Sequence, residues 1–233
     1  MTPTWSIEAL GDDALCLRLG SEISPGVNRM ACAAASLLHD LPGVAETTAS
    51  YASVTLRLRF PDGPPMPALC ALIHERLDGQ LAKVCKQESA AQDAVTVPVC
   101  YDGDLAPDLP AVANACGLTP SELVAIHQAG CYQVAMLGFA PGFAYLLGLD
   151  PRLAAPRRSS PRPRVPAGSV GIGGAQTGIY PAALPGGWNL IGRTPLRLFD
   201  ADRKRPTLLA VGMNVRFVAV DRAEFERMAG LAA

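Results

Sequence analysis

Hydrophobic positions early in the chain switch between two periods. Leu15, Leu17 and Leu19 alternate with polar or small neighbours, which predicts a half-buried strand over Ala14–Leu19 after the turn residues Gly11-Asp12-Asp13. Ser24-Pro25 have the form of an N-cap and first helical residue. Val27, Met30 and Leu37 then follow along a helix that Leu41-Pro42-Gly43 brings to an end. Val54, Leu56, Leu58 and Phe60 restore the period of two, and after a Pro61–Pro67 loop Leu69, Leu72, Ile73 and Leu77 predict a helix over Ala68–Leu81. Strand, helix, strand and helix predict an α+β ferredoxin-like sandwich over residues 1–90.

The polar, alanine-rich Gln87–Ala94 reads as a joint, and Val95–Cys100 reopens the pattern with a strand. Thr119-Pro120-Ser121-Glu122 spells a capping box whose short helix ends near His127. Tyr132, Val134 and Met136 alternate as a strand, as do Leu208-Leu209 and then Val215, Phe217 and Val220 further on. Residues 91–233 are therefore expected to form a mainly β domain with long ordered loops.

Composition sharpens where those loops lie. Between Gly138 and Pro195, 58 positions hold 20 of the chain's 43 glycines and prolines. Residues 101–150 contain five acids and no lysine or arginine, whereas residues 151–205 carry ten basic residues against two acids. A net charge of −1 thus conceals a basic, Gly/Pro-rich segment, which favours an anionic ligand. Nucleic acid is a poor fit, because the isoelectric point is about 6.3 and no nucleic-acid-binding motif is present. Met1–Leu10 lacks the pattern of a secretory signal, and the apolar run Val134–Leu149 is short and broken by glycine and proline, so no membrane span is expected. Seven cysteines without a C-x-x-C pair and three scattered histidines point to free thiols in a reducing cytoplasm, with no metal site.

Chemistry-bearing residues concentrate in the same region. The run Gly171-Ile172-Gly173-Gly174-Ala175-Gln176-Thr177-Gly178 is neither a dinucleotide fingerprint, which needs glycine where Gln176 stands, nor a P-loop, which needs Gly-Lys-Ser/Thr. No G-x-S-x-G elbow surrounds Ser169. We read these glycines as positions of close backbone approach in a barrel corner or pocket wall, with direct ligand contact as the alternative. Arg157, Arg158, Arg162 and Arg164 are interleaved with Pro156, Pro161, Pro163 and Pro166. Proline restricts the loop, and the planar guanidinium suits a carboxylate or phosphate, a solvated basic loop being the alternative. His127 is either a structural histidine at a helix C-terminus or a general acid/base.

Several long motifs, in fixed order, carry a resemblance across essentially the whole chain. They are Leu137-Gly-Phe-Ala-Pro-Gly-Phe-Ala-Tyr-Leu146, Pro156-Arg157-Arg158, Pro161-Arg162 and Val165-Pro-Ala-Gly-Ser169, then Gln176-Thr-Gly-Ile-Tyr-Pro181, Pro185-Gly-Gly-Trp188 and Ile191-Gly-Arg-Thr-Pro195. Gly11-Asp-Asp-Ala14, Pro98-Val-Cys-Tyr101 and Asp108-Leu109 agree as well. Together they resemble the family that contains the 5-oxoprolinase B subunit, the KipI kinase inhibitor and allophanate hydrolase subunit 1. Gly212-Met213 and Leu184 depart from the residues usual there.

The resemblance implies a ferredoxin-like N-terminal domain and a cyclophilin-like β-barrel C-terminal domain. It implies two partners, a C subunit of the KipA type and an A subunit of the LamB/YcsF type, in an assembly that opens 5-oxoproline to glutamate with ATP. This chain alone is expected to bind no cofactor and to be inactive. Inhibition of a sensor histidine kinase, or a place in an allophanate- or urea-directed hydrolase or carboxyltransferase, are the alternatives. From residue chemistry and motif position, His127 is the expected acid/base. Arg157, Arg162, Arg164 and Arg193 are the anion-binding candidates, Gln176 and Tyr180 polar orienters, and Phe143 and Trp188 an apolar wall.

Overall fold

A computed structural model describes residues 5–59, 62–86 and 94–231, whose contacts fall into two compact units, Met1–Ala91 and Gln92–Ala233. The first unit contains β1 (Ser6–Ala9), β2 (Ala14–Arg18), α1 (Pro25–Leu38), β3 (Val44–Ser50), β4 (Ser53–Leu58), α2 (Met66–Leu77) and α3 (Gln80–Lys86). Its strands form one antiparallel sheet in the order β1-β2-β4-β3. Leu15 and Leu17 of β2 and Val54 and Leu56 of β4 pack with Ala31, Ala34 and Leu38 of α1 and with Leu69, Ile73 and Leu77 of α2. The alternation of β2 and β4 is therefore the imprint of a sheet with helices on one face. The Ser24 side chain accepts from Val27 N–H at 3.3 Å and caps α1, with Pro25 as its first residue.

Three details of this unit differ from the sequence expectation. The helix expected over Ala68–Leu81 is two helices, because the chain leaves helical geometry at Asp78 (ψ +127) and Gly79 adopts φ +66. Strands β1 and β3 are additional. Each is an edge strand with mostly polar or small residues, so neither shows a clean apolar period. Phe60 and most of the Gln87–Ala94 joint lie outside the described residues.

The second unit contains β5 (Val95–Val99), α4 (Leu109–Ala115), α5 (Pro120–Ala129), β6 (Tyr132–Leu137), β7 (Ala144–Leu147), β8 (Arg162–Val165), β9 (Ser169–Gly173), β10 (Gln176–Ile179), β11 (Leu184–Gly186), β12 (Asn189–Arg193), β13 (Asn214–Ala219) and α6 (Arg222–Leu231). Seven strands make one sheet in the order β12-β9-β10-β7-β6-β13-β5, antiparallel except for the parallel pair β13–β5. Cys100, next after β5, bridges Arg193 at the end of β12 through reciprocal backbone bonds of 2.8 and 2.9 Å. That bridge joins the two edge strands and leaves a nearly closed β barrel, so the protein is a mixed α/β chain. A two-stranded ribbon, β8–β11, is separate from the barrel sheet.

Inward residues of successive strands fill the barrel: Val97 and Val99, Tyr132 and Val134, Ala144 and Leu146, Val170 and Ile172, Ile179, Ile191, Val215 and Phe217, joined by Val112 of α4 and Leu123 of α5. The expected capping box opens α5, with Thr119 N–H donating to Glu122 at 2.7 Å and Glu122 N–H to Thr119 Oγ1 at 3.3 Å. Leu208-Leu209 form no strand. An isolated bridge, Phe199 to Thr207, and the Leu208 N–H donating to the Leu198 carbonyl at 2.8 Å tie that stretch down, and Leu209 is a core residue of a loop. No single helix among the described residues is long and apolar enough to cross a membrane.

Candidate functional site

The Gly/Pro-rich motifs converge on the outer face of the barrel. Because side chains alternate along a strand, Thr177 and Ile179 of β10 point inward and Gly178 points outward. On β9 the outward positions are Gly171 and Gly173. The Trp188 indole lies across them so closely that a Cβ on Gly173 would fall 2.6 Å from it, and one on Gly178 3.1 Å. These glycines are thus close-approach positions, and the sheet face they strip of side chains is re-covered by aromatics. Phe143 meets Trp188 edge-on at 5.7 Å and Tyr180 at 5.1 Å, while Tyr145 packs against Phe143 at 4.7 Å. With Val165 from the ribbon and Leu190, they form a small second core between barrel and ribbon.

Phe143, Tyr180 and Trp188 are buried against one another, so they do not wall an open pocket as the sequence suggested. Burial raises the Tyr180 and Tyr145 hydroxyls, with the Arg157 charge opposing it in both. Phe139 stands over this cluster, edge-on to Phe143 at 5.4 Å and to Tyr180 at 6.5 Å, and the residue is 60% exposed. It holds φ at +70°, a left-handed conformation that a phenylalanine rarely adopts.

The arginines separate into two groups. Asp108, 6% exposed, accepts both Arg162 guanidinium nitrogens at 2.8 Å, Arg158 at 3.2 Å and the Leu190 backbone N–H at 2.7 Å. Burial alone would raise its carboxyl, but the Arg162 hydrogen bonds, the Leu190 N–H and the two guanidinium charges outweigh that and hold it below the usual carboxylate range. Arg162, expected from sequence to bind an anionic ligand, is therefore engaged by an internal carboxylate. Arg193 donates from Nε to the Ala167 carbonyl at 2.7 Å beside the barrel closure. Arg157 lies over the Trp188 ring at 5.9 Å, and Arg164 is exposed on β8; neither makes an ion pair among the described residues. Gln176 opens β10 at its hairpin with β9, a strand's length from Tyr180, so the two polar orienters are not brought together.

His127, read from sequence as either structural or an acid/base, is enclosed as well. It is 0% exposed, stacked on Phe217 at 4.5 Å inside the barrel. Thr177 Oγ1 donates its one proton to the Gly171 carbonyl at 3.0 Å. It can therefore only accept from His127 Nε2, at 3.4 Å, which leaves Nδ1 to accept from the Tyr101 hydroxyl at 2.9 Å. Burial lowers the imidazole to about 3, so it is neutral near pH 7. Both ring nitrogens thus have partners inside the barrel. His127 is a satisfied core histidine.

A family model for the carboxyltransferase domain, subdomain C and D, matches residues 5–209. The chain belongs to this family. A relative from Bacillus subtilis (strain 168), named as the B subunit of 5-oxoprolinase, is 42% identical over 234 residues, which cover 97% of each chain. Among solved structures, TTHA0988 is 37% identical with a TM-score of 0.75; the match covers 89% of this chain and 40% of that one. The Kluyveromyces lactis urea amidolyase has a TM-score of 0.77 at 19% identity, over 99% of this chain and 16% of that one, and so shares the fold. The chain thus spans less than half the length of these structural neighbours.

What this carboxyltransferase-family chain offers at its surface is Arg157 over Trp188, Arg164 exposed on β8, and Phe139 exposed over Phe143 and Tyr180. Among the described residues no three His, Cys, Asp or Glu side chains come together to hold a metal ion. Sequence reasoning missed Asp108 and Phe139 as determinants of the region. Asp108 carried one signal, an acid within a motif upstream of a basic segment. Phe139 likewise lay within a motif, Leu137–Leu146, but its exposure depends on how the Gly138–Gly142 turn closes.

Proposed function

We propose that this chain is the B subunit of an ATP-dependent 5-oxoprolinase, opening 5-oxoproline to glutamate in the cytoplasm. It would act together with an A subunit of the LamB/YcsF type and a C subunit of the KipA type. The observation that carries the reading is 42% identity over 97% of both chains with a protein named for that same 5-oxoprolinase component. The order β1-β2-β4-β3, in which β1 takes the edge position of a fourth ferredoxin strand, supports reading the first unit as ferredoxin-like. The nearly closed barrel supports a cyclophilin-like second one.

An unstrained lactam opens in water only when its carbonyl oxygen is activated, and phosphoryl transfer from ATP supplies that activation in the assembled complex. The species involved are anionic, from the substrate carboxylate onward. Arg157 and Arg164, whose guanidinium groups lack an internal carboxylate among the described residues, are our candidates to hold that charge. Since the aromatic cluster is closed on itself, this chain supplies one wall of the substrate site and another polypeptide completes it. The test is reconstitution with purified A and C subunits and a glutamate-release assay on 5-oxoproline with ATP. Turnover that needs all three supports the reading; its absence from the complete set removes it.

A further inference from the structure

Arg157 lies over the Trp188 ring at 5.9 Å, yet that contact alone does not fix it. An exposed cation–π contact is weaker than the rotamer freedom of a long side chain, so the guanidinium keeps its place only if its backbone does. The backbone on either side is tied down. Ala155 and Gly174 exchange N–H to carbonyl bonds of 3.2 and 2.7 Å, and Arg158 N–H donates to the Gly187 carbonyl at 2.8 Å. Between those points the Pro156 carbonyl accepts from Asn189 Nδ2 at 2.9 Å. Proline has no N–H, so this carbonyl is the only backbone group with which Pro156 can be held.

The Asn189 tie differs from the others in coming from a side chain. The same Nδ2 donates to the Ile172 carbonyl of β9 at 3.3 Å, so one amide joins the barrel sheet to the arginine loop. Two carbonyl acceptors need two N–H groups. Among short side chains a serine or threonine hydroxyl has one proton and a carboxylate has none, so the carboxamide is what this position requires. Trp188, the preceding residue, lays its indole across the bare glycines of β9, where a Cβ on Gly173 would fall 2.6 Å from it. The dipeptide Trp188-Asn189 thus supplies both the platform beneath Arg157 and the clamp on the backbone that carries it. A cation on a prearranged backbone binds an anion without the cost of ordering a loop.

We propose that Asn189 is a positioning residue: through Pro156 it holds Arg157 where the guanidinium receives an oxyanion, either the substrate carboxylate or a phosphate. The proposal rests on the reading above, in which Arg157 holds anionic species in the assembled enzyme. It deepens that reading by naming the residue that sets the cation in place.

The experiment is a double-mutant cycle of Asn189→Ala and Arg157→Gln. In the complex with A and C subunits, Arg157→Gln is expected to raise KM about tenfold and Asn189→Ala at least about threefold, with kcat little changed. Asn189→Ala added to Arg157→Gln is expected to raise it no further. A shift in KM for 5-oxoproline identifies the oxyanion as the carboxylate, and a shift in KM for ATP identifies it as the phosphate. The thermal midpoint separates positioning from folding. Loss of the Asn189 hydrogen bonds lowers it equally with and without Arg157, whereas the KM effect needs Arg157. In the chain alone, Trp5→Phe leaves Trp188 as the single tryptophan. Acrylamide quenching of Trp188 is expected to rise in each single variant and no further in the double. The proposal is overturned if either variant leaves KM for both substrates at the parental level. It is also overturned if Asn189→Ala acts equally in the Arg157→Gln background, on KM or on quenching. A complete complex that releases no glutamate, beside a non-additive quenching cycle, leaves the hold of Asn189 on Arg157 standing and removes the functional reading instead.

Discussion

His127 shows how a single enclosed side chain ties the barrel to pH. In the folded chain its imidazole stays neutral down to about 3, whereas in the unfolded chain it protonates near 6.5. Below pH 6.5 the unfolded state binds a proton that the native state refuses, so stability present above that pH drains away as pH falls toward 3. The slope from this residue is about 1.4 kcal/mol per pH unit. Urea unfolding at pH 7 and pH 5 should therefore differ by about 2 kcal/mol from this source, and His127→Gln should flatten the difference. An unchanged slope in the variant would place the titration elsewhere. Asp108 is the second residue of this kind. Asp108→Asn leaves Arg162 and Arg158 without their carboxylate, and a loss of about 2–4 kcal/mol is expected in the same measurement. Nothing near Arg162 in sequence identifies that carboxylate. Asp108 lies 54 positions away, which is why Arg162 reads from sequence as a free cation.

Among the elements, those that bury one face were legible and those that do not were not. Strands β2 and β4 show their alternation because each is an inner strand of a sheet with helices on one side. The edge strands β1 and β3 carry Glu8 and Glu46 in exposed positions, and their polar residues conceal a period of two. Helix α5 was legible from its capping box alone, and Thr119→Ala is expected to cost about 1 kcal/mol in thermal or chemical unfolding. The glycines of β9 and β10 were legible as close-approach positions, though not the tryptophan they accommodate. Gly173→Ala drives a Cβ to 2.6 Å from the indole of Trp188. We expect about 1–3 kcal/mol of destabilisation and altered tryptophan fluorescence, since the indole has to move. A variant with parental stability and spectrum would contradict this packing.

At the scale of the whole molecule, a near-neutral chain carries half of its basic residues in the 151–205 segment of the nearly closed barrel unit. The clustering of basic residues with glycine and proline was visible in the sequence. Its partition into structural arginines around Asp108 and exposed ones at Arg157 and Arg164 was not, because that depends on which strands close the barrel. The aromatic cluster is closed on itself, and the proposed function places the activity in an assembly. The most direct measurement is glutamate release from 5-oxoproline with ATP, using this chain, its A and C partners, and every pairwise omission. ATP-dependent release from the full set, lost when this chain is left out, is the predicted result. No release from the full set, or undiminished release without this chain, would contradict it.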